Sequence, residues 1–309
     1  MTRNRLDRLR ARWQHLSPNA RGAVWISAGT VLGALNDVVV KFLGQSVHPV
    51  QMTFFRYAVG LILLSPLFLR MGREVLVFNR AGLHIARALC AAAGQACVYY
   101  GVTHLLLADS TAIAFSRMLF TTVLAVVVLR EVVSGRRWSA TIAGFIGVVV
   151  MMRPGWAALD PAALAALLGA LLFAIALVFV PKLATTEPPD RILFHYHLLS
   201  MIFIAGPAAL VWTAPTLRET LFLLAIGAIT SLSIVCFIRA FAQGESSVVG
   251  PMEYVRLVYA AVLGFFIFGE IPDAFTFIGA AIIIASTLVI ARYETAERGR
   301  GAKGKVRAR

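Results

Sequence analysis

The chain has 309 residues, 59% of them hydrophobic and 14% charged, with a mean hydropathy of +0.80; a soluble domain carries about 25% charged residues, so a water-soluble globule is excluded. The formal charge of +14 would point to nucleic acid in a soluble chain, but here the cations gather at the ends of apolar runs, where they set topology and touch anionic lipid. Cys90, Cys97 and Cys236 each lie inside an apolar run and read as small buried hydrophobes, which leaves no disulfide framework and no paired-cysteine metal site.

A spanning helix needs about 20 mostly apolar residues. Residues 1–21 form a basic tail with Arg3, Arg5, Arg8, Arg10, Arg12 and Arg21. The run that follows contains Asp37 and Lys41 and has no A-x-A ending, so it reads as an uncleaved first span, not a signal peptide. Ten spans are predicted, at 22–43, 49–69, 82–104, 107–129, 138–153, 162–181, 192–213, 218–241, 246–269 and 272–291, before a second basic tail at 292–309. The only internal hydrophilic linker of any length is 185–191, too short for a soluble catalytic domain. If the N-terminus faces the cytoplasm of a bacterial inner membrane, 22 of the 29 Lys and Arg fall on that side. Only Arg153 and Arg218 fall on the other, and Lys41, Arg56, Arg87, Arg117 and Arg256 lie inside spans. The asymmetry predicts that both termini are cytoplasmic.

The two halves repeat. A shift of 141 pairs Val39 with Val180, Lys41 with Lys182, Pro66 with Pro207 and Leu69 with Leu210. From the third span a shift of 139 pairs Cys97 with Cys236, Arg117 with Arg256, Val123 with Val262, Leu124 with Leu263 and Glu131 with Glu270. Five spans per half is an odd number, so 22–153 and 162–291 enter the membrane from opposite sides. The predicted fold class is therefore an all-α membrane protein of ten transmembrane helices as two inverted five-helix repeats, the architecture of alternating-access carriers with a midplane substrate site.

Each half closes on one pattern, "LAVVVLREVVSGRRWSATIAG" around Glu131 and "AAVLGFFIFGEIPDAFTFIGA" around Glu270, the second preceded by "AFAQGESSVVGPMEY" at 240–254. From about 22 to 292 the chain resembles the EamA-type drug/metabolite transporter superfamily. Phe268, Gly269 and Glu270 form the more specific copy, and the first copy has Arg130 where the family usually has glycine. The resemblance implies a ten-helix carrier of two EamA repeats, in a group that includes exporters of amino acids and related metabolites and importers of compounds such as riboflavin or S-adenosylmethionine. It implies a mechanism class and leaves the substrate open.

Ionisable groups inside spans cost about 2.5 to 3.5 kcal/mol each at the bilayer centre and are functional candidates by default. Arg117 and Arg256 are mid-span repeat mates on stripes of small and polar residues: Ser110, Ala114, Thr121 and Ala125 beside Arg117, and Ser246, Gly250, Glu253, Ala260 and Gly264 beside Arg256. The spacing predicts two cavity walls facing across a pseudo-two-fold axis, with close helix packing as the alternative for the alanines and glycines. Together with Arg56 they predict an anionic or zwitterionic ligand, because a guanidinium grips carboxylate or phosphate bidentately. Tyr99, Tyr100, Phe115 and Tyr254 offer stacking faces for a flat organic group.

Glu253, beside Pro251, is either a proton carrier or the structural partner of Arg256 three residues on. Asp37 is the rival carrier, and it precedes Lys41 by one turn, which predicts an ion pair along one helix face. Arg87 is expected to extend to the cytoplasmic interface, and Glu131 and Glu270 to act structurally at span exits. Gly29 and Gly33 form a GxxxG that predicts a helix contact within the bundle. His195 and His197 point about 200° apart on a helix, so they cannot jointly hold a metal; His197 aligns with Arg56 and is expected to face the cavity.

No cofactor or metal is expected. A membrane-embedded lipid-modifying enzyme would need acids or histidines clustered at one interface, and a passive channel would need a continuous polar stripe. The expected function is secondary active transport, not enzymatic, of an amino-acid-like or other anionic or zwitterionic metabolite, with protons as the coupling ion. The alternative is import of a vitamin or nucleoside-type metabolite of the riboflavin or S-adenosylmethionine class. The expected partners are a small-molecule substrate, protons and the bilayer, for a monomer or homodimer, and no nucleic acid.

Overall fold

In the computed structural model of the chain the described residues are 17–129, 135–152, 160–245, 249–286 and 288–289. Their regular structure is helical, with no strand among the described residues. The helices are α1 (Pro18–Leu43), α2 (Pro49–Leu63), α3 (Ser65–Leu69), α4 (Ala81–His104), α5 (Leu107–Leu129), α6 (Gly135–Met152), α7 (Pro161–Leu183), α8 (Pro189–Leu210), α9 (Leu217–Gln243), α10 (Val255–Phe268) and α11 (Ala274–Ser286). Single 3₁₀ segments lie at Gly72–Leu76 and Gly250–Tyr254.

The helix starts follow from local chemistry. Pro18, Pro49, Pro161 and Pro189 open α1, α2, α7 and α8, at a position where a missing N–H leaves no hydrogen bond unmade. The Ser17 hydroxyl accepts from the Ala20 N–H at 3.2 Å and the Asp160 carboxylate from the Ala162 N–H at 2.8 Å. Thr216 and Glu219 form a reciprocal capping box ahead of α9.

Helices α1, α4, α5, α7, α8 and α9 are each long and apolar enough to cross a membrane, and α6 and α11 contain shorter apolar segments, Trp138–Val150 and Ala274–Ser286. The second and ninth predicted spans are interrupted. The second stops after the 15 residues of α2, where Ser65 and Pro66 follow, and the ninth begins as a 3₁₀ segment around Pro251 before the 14 residues of α10. Proline lacks the N–H that a continuous α-helix requires. Leu69, Leu210, Leu217 and Phe266 are each more than three-quarters exposed, a surface suited to lipid and not to water.

The halves interleave. α4 packs along α7 and its repeat equivalent α9 packs along α1, while α5 lies on α7 and α10 on α1. Small residues permit these approaches: a methyl group on Gly169 of α7 would sit 2.9 Å from the Gly94 carbonyl of α4. The Gly29–Gly33 pair lies inside the bundle, with Gly29 against the Phe237 ring of α9 and Gly33 against the Arg256 guanidinium of α10. Every contact between α1 and α9 or α10 therefore joins one half to the other.

A candidate substrate site between the halves

Arg117 on α5 and Arg256 at the start of α10 each bond an acid from the opposite half. Arg256 Nη2 donates to Asp37 Oδ2 at 2.7 Å, and Arg117 Nη2 donates to Glu253 Oε1 at 3.4 Å. Both acids are largely buried, Asp37 at 6% and Glu253 at 14% side-chain exposure. Low dielectric makes such pairing strong and an unpaired charge costly. Gly33 leaves the space in which the Arg256 guanidinium lies, its Nε 3.3 Å from where a methyl group would stand.

This arrangement corrects two pairings expected from helical spacing. Glu253 makes its ion pair with Arg117, not with Arg256, because Glu253 sits on the 3₁₀ segment and Arg256 on α10, so the two no longer share one α-helical face. Asp37 does not pair with Lys41. Lys41 instead pairs with Glu270 and donates to the Leu105 carbonyl, since a buried cation takes the carboxylate aimed at it over an i,i+4 neighbour worth a few tenths of a kcal/mol.

Glu270 reaches that position through the FGE motif. Gly269 closes α10 in the left-handed region, φ 68°, which glycine adopts without a Cβ penalty. The chain reversal turns the Glu270 side chain back over Gly264, where a methyl group would lie 2.6 Å from its carboxylate. There Glu270 Oε2 accepts from the Leu107 N–H at 2.7 Å, capping the positive end of α5. The repeat mate of Lys41, Lys182, reaches the Val128 carbonyl at 3.5 Å. Glu131, Arg130, Ser246, Arg153, residues 1–16 of the first basic tail and all of the second, from Ile290 on, lie outside the described residues.

Aromatic groups surround the ion pairs. Phe115 and Tyr254 meet edge to face, ring centroids 4.9 Å apart. They are repeat mates at the 139-residue shift, so their contact marks the pseudo-axis between the arginines. The buried Tyr99 hydroxyl has no hydrogen-bond partner and interacts electrostatically with Asp37, Arg56 and Arg256. Arg56 lies over the Tyr57 ring at 4.9 Å, and its Nη1, like Arg256 Nε, is buried without a partner. Three unmet donors thus lie around two crossed ion pairs.

Other candidates take packing roles. His197 bonds the Leu193 carbonyl at 3.0 Å and fills the space above Gly60 between Tyr57 and Tyr196, so it faces α2. Arg87 reaches the start of α8: its guanidinium lies 4.6 Å over the Tyr196 ring and donates to the Ile192 carbonyl at 3.2 Å. Tyr100 stacks on His104 of its own helix at 4.2 Å. A separate cavity of about 410 Å³, lined by Leu61, Phe68, Leu76 and Phe194 among others, includes none of the central charges. His84, Glu187 and His195, from three elements, gather where α4 and α8 begin.

A family model for EamA-like transporters matches residues 20–153 and 160–292. The chain belongs to the EamA-like transporter family. The S-adenosylmethionine uptake transporter of Rickettsia bellii is 34% identical over 269 residues, 87% of this chain and 92% of that one. The riboflavin transporter of Vibrio cholerae is 29% identical over 284 residues, 89% of this chain and 94% of that one. A solved crystal structure superposes with a TM-score of 0.62 at 16% identity, covering 89% of this chain and 98% of the other, a likeness of fold. This EamA protein is thus a multi-pass membrane transporter of small metabolites, as the FGE segment implies.

Proposed function

We propose that this EamA protein imports S-adenosylmethionine, or a close nucleoside-type metabolite, by alternating access in a bacterial inner membrane. The observation that carries the reading is the pair of crossed ion pairs, Arg117–Glu253 and Arg256–Asp37, beside unmet buried donors and two aromatic faces. Such a centre holds charge of both signs. S-adenosylmethionine presents a carboxylate, an ammonium, a sulfonium and a flat purine. The carboxylate suits the fork of Arg117, the cations suit Glu253 and Asp37, and the purine suits Phe115 and Tyr254. A purely anionic ligand would meet two carboxylates already in place, which favours the nucleoside-type class over the anionic one.

In this reading residues 22–153 and 162–291 are inverted five-span repeats that rock around the centre, with both termini cytoplasmic. Glu253 is the acid on the looser of the two pairs, and in this reading it carries the coupled proton when the site is empty of ligand, since a carboxylate in low dielectric exchanges a proton as its exposure and its cation change. Asp37 keeps the shorter bond, to Arg256.

Purified protein in liposomes tests the substrate. Saturable uptake of labelled S-adenosylmethionine is expected, together with thermal stabilisation of about 2.7 kcal/mol at 100 times the Kd. Stabilisation and uptake with riboflavin alone would overturn the substrate and keep the carrier. Alkaline phosphatase and a fluorescent protein, fused in turn to the C-terminus, test the topology, and phosphatase activity there would overturn the ten-span arrangement.

A further inference from the structure

We infer a divalent-cation site of the zinc class at His84, Glu187 and His195, distinct from the substrate centre and joining the two halves. The donors come from three elements: His84 from the first turn of α4, Glu187 from the turn between α7 and α8, and His195 from α8. Their ligand atoms lie within 4.8 Å of one another. His84 Nε2 is 2.9 Å and His195 Nδ1 is 3.9 Å from the same oxygen, Glu187 Oε2, and the three side chains are 0–1% exposed.

What marks this group is unmet valence. Neither ring nitrogen of His195 has a hydrogen-bond partner, nor has His84 Nδ1, and all three are buried. Neutral imidazole in a closed packing environment ordinarily satisfies one donor and one acceptor. His195 cannot swing away to find partners, since it is stacked on Phe78 at 3.9 Å and abuts the His84 ring at 4.6 Å. A cation supplies what both imidazoles lack, and two imidazoles with one carboxylate is a donor set that zinc accepts, with a fourth position left for water. The Asn79 N–H donates to Glu187 Oε1 at 3.2 Å, holding the carboxylate with Oε2 toward the rings, as a hydrogen bond behind a metal ligand does.

Donors around zinc stand roughly 3.4 Å apart for bonds of 2.0–2.1 Å, so from a spread within 4.8 Å ligation draws the widest pair together by at most about 1.4 Å. Access runs through the turn, where Ala184, Thr185, Thr186 and Pro188 are exposed on either side of buried Glu187. Arg191, one turn before His195 on α8, places a positive charge nearby and sets the affinity below that of a shell without it. Bound there, the ion ties α4 of the first half to the α7–α8 turn and α8 of the second.

The full chain, purified in detergent with a histidine-free affinity tag, stripped with chelator and re-loaded with zinc, tests the site. After desalting, one equivalent of zinc per chain is expected, falling to background in His195→Ala and His84→Ala and kept in His48→Ala. Cobalt(II) loaded into the unmutated chain should give visible d–d bands and no thiolate charge-transfer band. That second measurement holds even if the variants fail to fold. Zinc at background in the unmutated chain, zinc retained in both folded variants, or a thiolate band would each overturn the site.

Discussion

The two central ion pairs are built on arginines that the internal repeat makes equivalent, yet they differ. Arg256–Asp37 closes at 2.7 Å on an acid from the first half; Arg117–Glu253 spans 3.4 Å to an acid from the second. Asp37 stands inside α1, a continuous 26-residue helix, whereas Glu253 stands on a 3₁₀ segment beside Pro251. A carboxylate on a rigid helix holds its cation closely, and one on a short irregular segment holds it loosely. Symmetry of the scaffold thus supplies two equivalent cations, and asymmetry of the acids gives them unequal bonds; in the proposed mechanism the shorter pair fastens the halves and the longer one exchanges its partner for a ligand.

The sharpest way to break this distinction is to remove Asp37. Asp37→Ala leaves a buried guanidinium without its acid, which costs about 3 to 5 kcal/mol, so the thermal midpoint in detergent should fall and transport should vanish. Asp37→Leu combined with Arg256→Met should regain most of that stability without transport. A normal midpoint in Asp37→Ala alone would show that the shorter pair fastens nothing.

Glu253→Gln bears on the looser pair. Uptake driven by a pH gradient should be lost while substrate counterflow persists, because exchange needs the site to reorient without net proton movement. If gradient-driven uptake is unchanged, the proton role passes to Asp37 or to no residue. Next in size, Arg117→Lys keeps the charge and loses the planar fork. Ligand affinity measured by titration should weaken about tenfold, ~1.4 kcal/mol, in a chain that folds normally; full affinity would take Arg117 out of the site. The smallest effect concerns a third pair between the halves, Lys41–Glu270. Gly269→Ala forces an L-residue into the left-handed region at about 1 kcal/mol, which should lower the midpoint slightly and leave affinity unchanged. A change in affinity would extend the substrate site to that end of the bundle.

Much of this was legible in the residues alone. The predicted fourth span, 107–129, is helical throughout as α5, as a run of about 20 mostly apolar residues requires. The matched depth of Arg117 and Arg256 follows from one shift of the chain on itself. Their partners do not. The shift that carries Arg117 to Arg256 carries Glu253 back to Ala114, and the earlier shift carries Asp37 to Val178, so the acids lie outside the repeat. Helical spacing assigns Glu253 to Arg256 and Asp37 to Lys41 because it counts neighbours on one helix, whereas packed helices meet side chain to side chain across the bundle. His84 and Glu187 stand 103 positions apart, and no local pattern links residues at that distance. Lys41 and Glu270 were each visible as charges near span ends, but only the left-handed turn at Gly269 brings them together.

That turn bears on how the chain is made. Glu270 is synthesised 163 positions after Leu107, a delay of roughly 10 to 30 s at ribosomal speed. Throughout it the first amide of α5, the ammonium of Lys41 and the guanidinium of Arg117 stand in the nascent bundle without the acids that later neutralise them. The N-terminal half is consequently an unfinished object, to be held by the insertion machinery or by chaperones until the C-terminal half arrives.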